Sequence, residues 1–293
     1  MEADTFKRTR DHKKRRYHWS SFENLVRTFG AGLKICGLYE RGVRNALDIQ
    51  LHHMTLSFEH LPDAFDGYTI LHLTDLHYNA LEGLEDAIVD IVSGLEVDFC
   101  AFTGDYRVQM HGSYAKSVSA MQRVINGITA RDGIVATLGN HDTIYMVNAF
   151  EGMGIRVLGN ETICIQRNGS TIYLTGIDDV HYYYTDMVLE ALEASPESFK
   201  IALVHSPEIY DLVADHGYAL YLAGHTHAGQ ITLPNGGPII KHLKHGKHLA
   251  AGLWQHQGMI GYTSSGAGVS GLPVRYNTRG EISLITLKKK LRS

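Results

Sequence analysis

An α/β fold, two mixed β-sheets packed as a sandwich with flanking helices, is predicted by three observations. The first is a rhythm of apolar run, polar turn and helical spacing, repeated from Thr69 to Ala223. The second is a hairpin signal, Asn168-Gly169, between Thr162–Gln166 and Thr171–Thr175. The third is a pair of late strand-like segments, Gly258–Ser264 and Glu281–Leu287, with no helical stretch between them. Alternation from Met54 to Phe58 adds a strand before the rhythm begins.

The runs themselves are Thr69–Leu73, Asp98–Phe102, Ile134–Leu138, Lys200–Val204 and Leu220–Ala223. Helical spacing fills Leu81–Gly94, Tyr114–Ile128 and Pro207–Asp215. A chain of 293 residues can bury one large core, and no internal repeat divides it.

Composition excludes several classes. With 27 Lys and Arg against 31 Asp and Glu, the surface as a whole is not built for nucleic acid. Cys36, Cys100 and Cys164 are too few and too far apart for a disulfide framework or a zinc motif. No uninterrupted apolar run reaches the roughly 20 residues that span a bilayer. In the best candidate, Leu25 to Leu38, Arg27 and Lys34 intervene. Those charges also argue against a secretory leader, and against reading Arg15-Arg16 as a twin-arginine export signal.

The amino terminus divides into three parts. Residues 1–17 form a basic tail, with Lys7, Arg8, Arg10, Lys13, Lys14, Arg15 and Arg16 against Asp11. Residues 18–48 have the pattern of an amphipathic helical segment, apolar at Phe22, Leu25, Val26, Phe29, Leu33 and Ile35 to Leu38 and basic at Arg27, Lys34, Arg41 and Arg44. Such a segment suits an anionic membrane surface, a partner, or simple packing on the domain that fills residues 49–293. The first option implies a cytoplasmic protein held peripherally on the inner face of the cytoplasmic membrane.

Chemistry concentrates where the apolar runs end. In α/β sheets, ligand sites lie outside the carboxyl ends of strands. The turns there supply Asp75, His77, Asp105, Asn140, His205, His225 and His227. Taken alone, Asp75 or Asp105 would be a helix N-cap and Asn140 a turn residue. Their arrival at successive strand ends argues otherwise. Oxygen and nitrogen ligands without thiolate suit Mn, Fe, Zn or a similar ion. Seven such groups suit two divalent metal ions, provided one carboxylate bridges them.

The order Asp75-x-His77, Gly104-Asp105, Gly139-Asn140-His141-Asp142, His205 and Gly224-His225-Thr226-His227 resembles the calcineurin-like metallophosphoesterase family. The resemblance covers about Gly67 to Leu287. Two longer strings, Gly224–Ile231 followed by Leu233-Pro234, and Ser265–Gly268 followed by Leu272–Arg275, look like its bacterial phosphodiesterase branch. That branch includes membrane-associated members similar to UDP-2,3-diacylglucosamine pyrophosphatase.

The resemblance implies that Asp75, His77 and His227 hold one metal, that Asn140, His205 and His225 hold the other, and that Asp105 bridges. It implies that His141 protonates the leaving oxygen or stabilises the transition state, and that Asp142 orients His141 or the local turn. Paired cations of this kind lower the pKa of a shared water, so that hydroxide attacks phosphorus in line. One departure is Val108, where many relatives have Asp; it puts hydrogen bonding around the ligands in question. Arg107 is open to phosphate contact or to solvent.

Specificity is expected from outside the ligand set: His181 to Tyr184, Asn235 to Gly246, and Ser264 to Arg275. Asp178-Asp179 after Gly176 has two readings, contact with the site or a helix cap, with the cap preferred, and His242, His245, His248 and His256 read as a loose surface patch. Three functions follow. One is a phosphodiesterase or pyrophosphatase for a membrane-linked phosphoester. Another is a soluble phosphodiesterase or phosphatase for nucleotides or small phosphoesters. The last is a non-catalytic module, disfavoured because the whole ligand set is present.

Overall fold

The computed structural model describes residues 24, 26–181, 185–233 and 243–290. The basic tail, Tyr182 to Tyr184 and the greater part of Asn235 to Gly246 lie outside them.

Helix α1 occupies residues 26–35 and α2 Tyr39–Leu47. Then follow β1 (Gln50–Phe58), β2 (Thr69–Leu73), α3 (Leu84–Val92), β3 (Leu95–Val97), β4 (Phe99–Thr103), α4 (Ala115–Asn126), β5 (Ile128–Ala130) and β6 (Ile134–Thr137). The second half brings α5 (Val147–Glu151), β7 (Ile155–Val157), β8 (Glu161–Arg167), β9 (Ser170–Ile177), α6 (Met187–Glu193), β10 (Phe199–Val204), α7 (Tyr210–Asp215) and β11 (Leu220–Ala223). Strands β12 (Gly252–His256), β13 (Met259–Thr263) and β14 (Glu281–Lys289) close the chain.

Two six-stranded sheets result, ordered β1-β14-β2-β4-β6-β7 and β12-β13-β11-β10-β9-β8. Both are mixed. In the first, only β14 and β2 run antiparallel; in the second, β12–β13 and β8–β9 do. The Asn168-Gly169 hairpin forms as predicted, with both residues at positive φ, 50° and 77°.

Three apolar layers explain why the central strands read as unbroken apolar runs. Between the sheets lie Ile70, Phe99, Ala101 and Val135 with Leu174, Ile201, Leu203 and Leu222. The opposite face of the first sheet sets Leu71, Leu73, Cys100 and Phe102 against Ile88, Val92, Met121 and Val124 of α3 and α4. On the outer face of the second sheet, Ala202, Val204 and Tyr221 meet Val188, Leu192 and Val213 of α6 and α7. A strand covered on both faces has no polar side to show.

Among its described residues the amino-terminal segment is two helices, broken where Gly37 adopts φ 68°; Phe22 and Leu25 lie outside those residues. Gly30 and Leu33 of α1 are buried, whereas Phe29, Ile35 and Leu38 are exposed. The apolar side predicted for a single helix is therefore only partly used by the domain. A Cβ at Gly30 would stand 2.9 Å from Leu272 Cδ1, and one at Gly42 would stand 2.6 Å from Val274 Cβ. Both helices thus press on the segment before Tyr276.

Candidate metal centre

The predicted ligands converge at the carboxyl ends of β2, β4, β6, β10 and β11, which the two sheets bring together. Asp75, His77, Asp105, His225 and His227 all adopt positive φ, between 39° and 72°. That conformation is costly for residues with a Cβ and persists where surrounding structure over-determines it. Here it turns side chains from separate loops into one cavity. The turns are packed too closely for side chains at their glycines. A Cβ at Gly224 would stand 2.2 Å from Asp75 Oδ2, and one at Gly139 would stand 2.3 Å from Asp105 Oδ1.

Two groups form. Asp75, His77 and His227 make one; Asp105, His205 and His225 make the other. In the first, His77 Nε2 is 3.2 Å from His227 Nε2, and His227 Nε2 is 3.5 Å from Asp75 Oδ1. Asp75 Oδ1 is buried and accepts no hydrogen bond. In the second, the Asn140 carboxamide oxygen lies 3.1 Å from His205 Nε2 and 3.0 Å from His225 Nδ1. Asp105 Oδ2 stands between the groups, 3.6 Å from His77 Nε2 and 3.3 Å from His205 Nε2. A carboxylate so placed is within reach of both groups.

Backbone carbonyls fix the imidazoles. His77 Nδ1 donates to the Arg107 carbonyl and His205 Nδ1 to the Thr103 carbonyl, each at 2.8 Å. Both rings therefore present Nε2 to the cavity, the usual way a ligating histidine is oriented. Burial lowers the His77 pKa to about 4, which keeps that ring neutral. Burial opposes a charge on His205 as well, but the adjacent Asp105 carboxylate outweighs it and raises that pKa to about 10.

These residues fit a pair of divalent cations. A buried carboxylate oxygen without a hydrogen-bond donor, converging imidazole nitrogens and a shared carboxylate are satisfied together by two ions. Manganese, iron and zinc all suit such a nitrogen and oxygen set.

Beside the ligands, His141 Nδ1 donates to the Val108 carbonyl, and its Nε2 lies 4.0 Å from Asp105 Oδ2. Val108 thus supports His141 through its backbone, so the departure to Val leaves that hydrogen bond in place. Of the two roles open to Asp142, the structure gives the turn. Its carboxylate accepts from the N–H groups of Asp105 at 2.7 Å, Tyr106 at 2.9 Å and Gly139 at 2.8 Å.

Arg107 takes neither of its expected roles. It is buried, and its guanidinium donates to the carbonyls of His141, Met110 and Gly112. His72 lies in the core, its Nε2 2.8 Å from Thr103 Oγ1. Asp178 and Asp179 do not cap α6, which begins after Asp186. Asp179 instead holds His181, which also pairs with Glu208 at 2.6 Å and stacks on the His225 ring at 4.4 Å. Sequence reasoning missed this Asp179–His181–Glu208 group, because Glu208 comes from a distant turn. The only signal was a histidine beside paired aspartates.

The fold and centre are those of a metallophosphoesterase. Residues 68–229 match the calcineurin-like phosphoesterase family, and the chain belongs to it. It is accordingly a phosphate ester hydrolase with a binuclear divalent metal centre. It is 31% identical over 252 residues to the uncharacterized metallophosphoesterase YkuE of Bacillus subtilis (strain 168), covering 80% of this chain and 86% of that one. It is 31% identical over 251 residues to a transmembrane protein with metallophosphoesterase domain of Bos taurus, covering 78% and 54% respectively. To phosphodiesterase YaeI of Escherichia coli (strain K12) it is 26% identical over 229 residues, covering 75% and 82%.

Proposed function

We propose that this protein is a phosphodiesterase or pyrophosphatase that hydrolyses a phosphoester carried by a membrane lipid. The observation that carries the hydrolytic part is Asp105 Oδ2 standing between His77 and His205, which suits a pair of ions sharing one carboxylate. When bound, such ions acidify water and neutralise phosphoryl charge. Asp75, His77 and His227 would hold the first ion; Asn140, His205 and His225 the second; Asp105 both.

The remaining work falls to the protein. Val108 fixes the His141 ring through Nδ1, so Nε2 is the atom that hands a proton to the leaving oxygen. Asp142 holds the Asp105 turn rigid through three backbone N–H groups.

The membrane part rests on α1. Phe29 and Ile35 are exposed there, among Arg27 and Lys34, and exposed Leu38 and Arg41 follow at the start of α2. Helix α1 presses on Leu272, whose carbonyl accepts from Gln230 Nε2 at 2.5 Å, three residues past His227. An exposed apolar and basic helix packed on the Leu272 segment suits an anionic lipid surface. The membrane setting named for the Bos taurus relative supports the same reading. The contact proposed is peripheral, on the inner face of the cytoplasmic membrane; among the described residues no helix is long and apolar enough to cross a membrane.

The test has two arms. The full chain is sedimented with vesicles of anionic and of neutral lipid, and assayed with Mn²⁺ on lipid-linked and nucleotide phosphodiesters. Binding to anionic vesicles with preference for lipid-linked esters supports the proposal. No vesicle binding together with preference for nucleotides would return the protein to the soluble reading, with α1 serving only to pack.

A further inference from the structure

We infer that Arg275 is a positioning residue for the first metal site, and that α2 braces it there. The inference rests on the dinuclear reading of the centre.

Arg275 is wholly buried, yet its guanidinium meets carbonyl oxygens rather than a carboxylate. It donates to Ser265 at 2.7 Å, Gly266 at 3.0 Å and Gly268 at 2.7 Å through one terminal nitrogen. The other donates to Arg279 at 3.1 Å and His227 at 3.4 Å. Burying a cation is costly unless its donors are used. What it secures is the loop over Asp75. Gly268 N–H donates to the Asp75 carbonyl at 2.9 Å, and Ala267 N–H to the Thr74 carbonyl at 3.1 Å. Gly266 lies so close that a Cβ there would stand 2.6 Å from Asp75 Cβ.

The same segment pairs with the stretch that follows His227. Tyr276 N–H donates to the Gln230 carbonyl at 3.2 Å, and Thr232 N–H to the Tyr276 carbonyl at 3.0 Å. Arg275 thus touches the frames of two first-site ligands, Asp75 and His227, while reaching neither reacting atoms nor solvent. The second group, Asp105, His205 and His225, is held through Thr103, Asn140 and Asp142, and also meets the first where His225 N–H donates to Asp75 Oδ2 at 2.8 Å.

Helix α2 completes the brace. Arg275 N–H donates to the Gly42 carbonyl at 3.0 Å, Asn45 Nδ2 to the Arg275 carbonyl at 2.9 Å, and Tyr276 Oη to the Leu38 carbonyl at 2.5 Å. Gly42 is needed for this approach, since a Cβ there would stand 2.6 Å from Val274 Cβ and 2.9 Å from Tyr276 Oη. The amino-terminal helices are therefore mechanically continuous with the first metal site. An event at α1 or α2 can reach Asp75 and His227 through one side chain.

The test measures Mn²⁺ stoichiometry and affinity in the full chain, with melting temperature in chelator and in excess Mn²⁺. Arg275→Met should leave one tightly held ion of two and weaken the other about 10–100-fold, the usual cost of losing a partner behind the ligands. Arg275→Lys keeps a cationic donor and should recover part of that loss. Gly42→Ala, far from any ligand, should weaken the same ion, while Gly32→Ala, with open space around its Cβ, should not. Should Arg275→Met fail to fold, Gly42→Ala and Arg275→Lys decide on the same readouts.

Two ions held at wild-type affinity in the variants, with melting lowered equally in chelator and in Mn²⁺, would overturn the inference and leave a purely structural arginine. Wild-type protein that binds fewer than two ions would instead overturn the dinuclear reading beneath it.

Discussion

Asp105 Oδ2 stands 3.3 Å from His205 Nε2, and this contact sets the proton balance of the metal centre. Burial works against charge on His205, but the carboxylate raises its pKa to about 10, so without metal a proton occupies that contact at neutral pH. A metal must displace it. Uptake at pH 7 should release about one proton from this residue, and affinity should climb as pH rises toward 10. Calorimetry of Mn²⁺ binding in buffers of different ionisation enthalpy measures the proton count. A buffer-independent heat would contradict the assignment.

His141 touches the centre without belonging to either ligand group. Replacing it with alanine should lower kcat by about 10²–10⁴-fold, the range for a lost general acid. Both ions should remain, as elemental analysis would record. Loss of metal along with activity would make His141 a ligand instead.

Asp142 predicts a different pattern. Three backbone N–H groups depend on its carboxylate, and Asp142→Ala leaves them buried without acceptors. Destabilisation of about 1–3 kcal/mol per orphaned group sets the scale. Chemical denaturation should show a loss within or above that range, with metal affinity reduced because the Asp105 turn loosens. A variant with wild-type stability and a selectively lowered kcat would restore Asp142 to the chemistry.

The Asp179–His181–Glu208 group makes stability depend on pH. Burial alone would lower the His181 pKa, but hydrogen bonds to Asp179 and Glu208 raise it from 6.5 to about 9. Its contribution is therefore complete below about pH 6.5 and disappears as pH rises through 9. Burial alone would raise the Glu208 pKa, but His181 and the His245 N–H bring it from 4.5 to about 2. That contribution is complete above about pH 4.5 and disappears as pH falls through 2. Metal-free protein should be more stable at pH 6 than at pH 9, and Glu208→Gln should flatten the difference. An unchanged slope in the variant would remove Glu208 from the account.

The convergence of Asp75, His77, Asp105, His205, His225 and His227 was legible in the sequence because it is local. Each ligand sits within a few residues of a strand end, and sheet topology alone brings strand ends together. The hairpin was legible because Asn168 and Gly169 tolerate the positive φ that its turn demands. The supporting groups were not legible, because their partners come from distant loops. Arg107 reads as a surface residue until the carbonyls of Met110, Gly112 and His141 close around it. Asp179 reads as a cap until His181 and Glu208 meet beside His225. The break at Gly37 escaped a pattern that counts apolar spacing but not backbone handedness.

The central claim is that Asp105 holds two ions at once, and one paired measurement tests it most directly. Metal content and hydrolysis of bis-p-nitrophenyl phosphate are determined side by side for the wild-type chain and Asp105→Asn. The account predicts close to two ions per wild-type chain, with content and rate falling together in the variant. Full activity in a variant that keeps both ions, or in a wild-type chain stripped of metal, would contradict it.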